Sequence, residues 1–355
     1  MILTRYLNKE FFISIIMIMI GLIALFSFFD FLQEINDLGK GSYDISKVIV
    51  FVILSMPGHV YEIIPLSVLI GSMYAISQLS QHSELIVMRA SGFSIKKIAL
   101  SLFYVGLFFS IVTLVVGDLI TPGSEKNAQQ LKINATDSSL SQEFRSGFWI
   151  KDGNNFVNIE NVMPDATLRE VHIYEFDSTF SLRTITNAKT GIFHDGQWKL
   201  ENISQTIFND DSIRTNSILK GNWKSLIRPE MMNVLIISPE KMSTLNLFRF
   251  ISYLKNNNQK TNRYEVALWE KIIHPITPIV MLIFAVPFGF LQERSGGKFL
   301  KIFIGISAGI AYQIFNTMIR HVGLLNDWPP YLSALIPTSL FLAAGIYLII
   351  RFERK

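Results

Sequence analysis

The chain has 355 residues, half of them apolar and 17% charged, with 28 Phe, no Cys and a formal charge of +4. A soluble domain carries about 25% charged residues, so the shortfall excludes an ordinary soluble enzyme and points to lipid as solvent. The apolar richness excludes disorder, collagen and coiled coil, the small net charge makes no case for nucleic acid, and a chain without cysteine holds no disulfide, thiolate metal site or thiol nucleophile.

Residues 11–29 carry no charge, enough to cross a hydrocarbon core of about 30 Å as a helix. Arg5 and Lys9 precede the run as in a signal peptide, but Asp30, Phe31 and Leu32 stand where a small-residue cleavage site belongs, so the run is expected to stay as a first transmembrane helix. A second stretch, 48–79, contains Pro57, His59, Glu62 and Pro65 and reads as a kinked or two-part helix. A third covers 98–120.

From 121 to 265 the texture changes to short alternating runs such as Val171-His172-Ile173-Tyr174-Glu175-Phe176. Asp195-Gly196 between two apolar runs is a strong hairpin signal, and Asp152-Gly153 marks another turn. This stretch holds 17 Lys/Arg and 16 Asp/Glu in 145 residues, the proportion of a soluble domain, so the low average belongs to the rest of the chain. The expectation is a β-sandwich or jelly roll, either a spacer or a sheet that accepts lipid or docks another sheet edge. Leu247, Phe250, Ile251 and Leu254 then follow helical spacing. Three further spans, 272–291, 299–322 and 331–350, bring the total to six. The expected fold class is an α-helical polytopic membrane protein with an inserted all-β, jellyroll-like domain, divided at 1–120, 121–265 and 266–355.

With the N-terminus inside, Arg5, Lys9, Arg89, Lys96, Lys97, Arg294, Lys298, Lys301, Arg351, Arg354 and Lys355 fall on the cytoplasmic side, against Lys40, Lys47 and Arg320 in short outer loops. That asymmetry follows the positive-inside rule and puts the β insert outside the cytoplasm, in a periplasm if the cell has two membranes.

The residues that carry chemistry are few. The histidines are scattered without an H-E-x-x-H pair, no G-x-S-x-G is present, and neither Gly39-Lys40-Gly41 nor Gly296-Gly297-Lys298 completes a P-loop, so no catalytic or metal residue is expected and any energy comes from elsewhere. Residues 80–94 read as a short cytoplasmic helix with Ser83 as N-cap, Leu85 and Met88 as an apolar patch, and Gly92 at its end. With Glu84 and Arg89, it is either a docking element for a soluble partner or a solvated turn. Gly305 and Gly309 form a G-x-x-x-G in the fifth span, which serves a partner interface or packs inside the bundle. Glu62 lies deep enough by sequence to be a paired or gating residue, whereas Asp30 and Asp118 read as solvated boundary acids. Lys40, Arg320 and His321 fall near the outer face, where they bind an anionic headgroup or act as interfacial anchors.

The runs GSYD at 41–44, SELIVMRASGFS at 83–94, FWIKDGNNFVNIE at 148–160, YLK at 253–255 and RYEVALWEKIIHPITPIVM at 263–281 resemble the LptF/LptG lipopolysaccharide export permeases over essentially the whole chain, with KDGNNFV closer to LptG. The resemblance implies a non-catalytic, inner-membrane subunit that pairs with an LptF-like paralogue. A dimer of an LptB-like ATPase, which binds ATP and Mg, drives the pair, and lipopolysaccharide passes to an LptC-like protein and a periplasmic bridge. It implies that the insert is a β-jellyroll, that Glu84 is the acid of a coupling helix, and that spans one and five form gates. Basic residues that relatives carry just before GSYD are here largely Asp30, Glu34, Asn36 and Asp37, which leaves Lys40 for headgroup phosphates. An LptF-like subunit, an ion-coupled transporter relayed by Glu62, and a membrane scaffold are the alternatives; the missing inverted repeats weigh against the transporter.

Overall fold

The computed structural model describes residues 2–92, 95–136, 147–163, 167–209, 212–225, 228–229, 238–290 and 297–353. Six helices are long and apolar enough to cross a membrane, and a six-stranded antiparallel sheet stands between the third and fourth of them. The helical membrane protein with a β insert is therefore the fold. By backbone contacts the chain divides into two compact units: Met1–Leu32, Ser55–Ser124 and Asn262–Lys355 form the first, Gln33–Leu54 and Glu125–Thr261 the second.

The first unit opens with α1 (Ile2–Glu34) up to Leu32, α2 (Ile45–Gln81) from Ser55 on, the short α3 (Glu84–Ala90) and α4 (Ile95–Val115). A π-helical turn, Val116–Ile120, joins α4 to α5 (Thr121–Thr136). Pro57 and Pro65 both lie inside α2, which runs on as one helix of 37 residues rather than two parts. Leu7, Phe11 and Ile15 of α1 pack with Ile64, Leu69 and Met73 of α2 and with Leu102 and Phe109 of α4. The close approach of α1 to α2 depends on Gly71, where an added Cβ would lie 2.5 Å from the Ile15 Cα.

In the second unit the strands are β1 (Phe148–Asp152), β2 (Asn155–Val162), β3 (Leu168–Phe176), β4 (Leu182–His194), β5 (Gln197–Asn209) and β6 (Ser212–Trp223), paired in sequence order. Among the described residues the connectivity is that of a meander. Asp195 and Gly196 have φ of +53° and +78°, the double positive φ of a type I′ turn, and they bring His194 opposite Gln197. Val157 opposite Ile173 and Ile159 opposite Val171 are all buried, so alternation places one apolar face inward. The amphipathic pattern after the sheet is α6 (Thr244–Asn256), N-capped by Ser243, whose hydroxyl accepts from the Asn246 amide at 3.3 Å. Its buried Tyr253 donates to the Lys151 carbonyl at 2.8 Å, which fastens the helix to the β1–β2 hairpin and, by burial, pushes the phenol's pKa up.

The chain then returns through α7 (Asn262–Ile273) and α8 (Thr277–Ala285), and ends in α9 (Gly297–Leu325) and α10 (Pro330–Glu353). The sequence texture changed at Thr121, yet α5 continues to Thr136. Its polar Glu, Lys, Gln and Asn residues signal exposure, and exposure is as compatible with helix as with strand.

Candidate functional site

The predicted docking helix exists as α3, with Glu84 in its first turn, where the helix dipole favours an acid. The carboxylate is half-exposed. Ser83 does not cap it with extended backbone; its φ is +56°, and its carbonyl accepts from the Val87 amide at 3.1 Å. Gly92, at φ +85°, fills the left-handed position that ends the helix. Met88 is only 4% exposed and belongs to the bundle core, so α3 turns Met88 inward as an anchor and leaves Val87, 65% exposed, outward. The apolar outward residue is therefore Val87, one position from the predicted one. The side chains of Leu85 and Arg89 lie outside the described residues.

The basic residue expected to meet headgroups, Lys40, is exposed and bound to Asp37 at 2.5 Å. Asp37 also takes Lys132 of α5 at 2.9 Å, and Lys132 reaches Glu34 at 2.8 Å. Glu34 is buried, and it accepts in addition from the Tyr43 hydroxyl at 2.9 Å. Burial and this carboxylate push the Tyr43 phenol well above its ordinary pKa. Two acids and two bases thus form one network that ties the end of α1 to α5. Lys132 escaped sequence reasoning because α5 was taken into the strand-rich insert; the signal that would have found it is the run Ala128-Gln129-Gln130-Leu131-Lys132, good helix formers without strand alternation.

Arg320 sits 3.5 Å from Glu270 of α7 and His321 is exposed. Lys271, the next residue along α7, is buried and faces Asp118 of the π-helical turn at 4.0 Å, so Asp118 is partnered rather than merely solvated. Asp30 is likewise engaged, with His59 of α2. Glu62 is exposed on α2. The helix turns Tyr61 and Ile63 into the bundle and leaves Glu62 on its outer face.

Gly305 and Gly309 face α2 of the same chain. A Cβ at Gly305 would lie 3.0 Å from Met73 Cγ, and one at Gly309 would collide with the Leu66 Cδ1. The motif therefore packs inside the bundle, where the missing side chains let α9 and α2 approach. Among the described residues no group of His, Asp and Glu has the makings of a metal site.

The sequence matches the family described as lipopolysaccharide export system permease LptF/LptG over residues 5–351. The chain belongs to the LptF/LptG family. It is 30% identical over 353 residues to the lipopolysaccharide export system permease protein LptG of Escherichia coli K12, covering 99% of this chain and 98% of that one. It is 27% identical over 351 residues to the protein of the same name in Haemophilus influenzae, with 98% of each covered. The LptF/LptG match spans the six long helices, α3 and the β insert.

Proposed function

We propose that the chain is the LptG-type permease subunit of an ATP-driven complex in the bacterial inner membrane that extracts lipopolysaccharide from the outer leaflet and passes it to a periplasmic bridge. The full-length match to the family, with both similar relatives named LptG, carries this reading and favours it over the LptF-like position. The partners are then an LptF-like paralogue, an LptB-like ATPase dimer that holds ATP and Mg, and an LptC-like protein. The chain itself is non-catalytic. The distribution of Lys and Arg supports cytoplasmic termini and a periplasmic β domain.

In this mechanism Glu84 docks the ATPase, Met88 roots α3 in the helix bundle, and closure of the ATPase dimer moves the helices. External energy is needed because each acyl CH₂ left in water costs about 0.8 kcal/mol, so a multi-chain lipid crosses only along a continuous apolar path. Glu84→Arg is expected to abolish co-purification with the ATPase and lipopolysaccharide export together; full retention of both would refute the docking role. Because the native chain has no cysteine, a single Asp195→Cys gives a clean topology test: a membrane-impermeant maleimide should label it from the periplasm, and labelling only after lysis would reverse the orientation.

A further inference from the structure

Helices α4 and α10 both pack on α8, and an apolar cleft of about 390 Å³ runs between them. Leu100 and Phe103 of α4 and Ile346 and Ile350 of α10 form its rims, while Leu282 and Ile283 of α8 lie along its floor. Two glycines give it this shape. A Cβ at Gly106 would come 3.2 Å from Ile279 Cγ1, and one at Gly345 would come 3.1 Å from the Phe284 Cα. Each flanking helix can therefore sink onto α8, and the four rim side chains stand out, all of them exposed.

Every residue lining the cleft is apolar, so water entering it finds no side-chain hydrogen-bond partner. An empty cleft would forfeit dispersion contacts along its whole lining. An extended hydrocarbon chain restores those contacts along the whole apolar lining, and a polar chain does not. The charge at one end is equally selective. Arg351, exposed, directly follows Ile350, and Lys96 and Lys97 lie in the first turn of α4, one turn before Leu100. A phosphate is the group that this end attracts.

We infer that this cleft is a binding site for one acyl chain of an anionic phospholipid, with its headgroup phosphate beside Arg351. The ligand is a resident of the bilayer and not the exported cargo, so the inference stands apart from the transport reading. The full chain in nanodiscs of phosphatidylethanolamine, doped with a phosphatidylglycerol carrying a diazirine in its acyl chain, tests it. Crosslinks should concentrate on the peptides holding Phe103 and Ile346 and exceed those from a matched phosphatidylcholine probe. Ile346→Trp, or Leu100→Trp from the other rim, should fill the cleft and abolish them with the thermal midpoint unchanged. Arg351→Gln should reduce phosphatidylglycerol capture about fivefold, the effect of one basic residue near an anionic lipid, and leave phosphatidylcholine capture alone. Labelling spread evenly to exposed Ile20 and Ile111 on other helices, capture unaffected by both Trp variants, or equal capture of the two probes would overturn the proposal. So would displacement of the probe by added lipopolysaccharide, which would make the cleft a cargo site.

Discussion

His274 donates its Nε2 proton to the Tyr61 carbonyl at 3.0 Å, the acceptor that Pro65 deprives of its helical donor four residues on. A carbonyl only accepts, so the imidazole must carry its proton on Nε2. The ring also lies 4.5 Å, centroid to centroid, from the Tyr61 ring. Inside a membrane an unsatisfied carbonyl is costly, and this contact explains how α2 tolerates an interior proline without breaking. The sequence placed both residues in spans but gave no sign that they meet, because 213 positions separate them.

His274→Leu should therefore lower stability by about 1–3 kcal/mol, the cost of stranding a buried polar group. Thermal unfolding of the detergent-solubilised protein measures it. In Pro65→Ala, which restores the helical donor, the same substitution should cost markedly less; an equal cost in both backgrounds would show that the hydrogen bond is not the reason.

Lys132→Gln should destabilise more than removal of an exposed pair, because it leaves Glu34 buried at 5% exposure without its cation. Breaking a fully buried pair costs about 3–5 kcal/mol; Lys132 and Asp37 are each about a quarter exposed, which brings the expectation nearer ~2 kcal/mol. Adding Glu34→Gln should recover part of the loss in the same melting assay.

Gly71→Ala and Gly21→Ala should separate cleanly. The first drives a methyl into the Ile15 backbone, 2.5 Å from its Cα, and overpacking of this kind costs about 1–3 kcal/mol. The second meets nothing within 4 Å and removes a flexible residue from a helix interior, for a gain of about 0.5–1 kcal/mol. Melting points that move in the same direction would contradict this account of helix approach.

Acidification should loosen the β3–β4 turn before it affects the sheet. The hydroxyl of Thr179, the amides of Ser181 and Thr179 and the Arg183 guanidinium hold the Asp177 carboxyl down to about 2 from an ordinary 3.8. A depressed folded value means that the stabilisation is complete above the unfolded pKa and is lost as pH falls through the folded one, here from about 4 toward 2. Hydrogen exchange should show Thr179 and Ser181 opening over that window, and Asp177→Asn should open them at neutral pH.

The fold was legible in the sequence wherever one residue type dominated a stretch. Six long apolar runs gave six spans, and Asp195-Gly196 gave its hairpin, because left-handed backbone at both turn positions selects those residues locally. The site was less legible. Glu84 and Gly92 fell where α3 needs them, but Met88 was assigned outward, since a short helix reveals which residues are apolar without saying which neighbour each faces.

Composition and pattern by themselves determined the membrane class, the number of spans, the place of the β insert and the absence of a thiol or P-loop chemistry, because lipid and water act on each segment independently of the others. Only the tertiary structure decided the pairings. Lys132 with Glu34, Lys271 with Asp118, His274 with the Tyr61 carbonyl, and Gly305 and Gly309 against α2 depend on helices distant in sequence arriving at one place. A buried charge or a missing Cβ declares its purpose only once its neighbour is known.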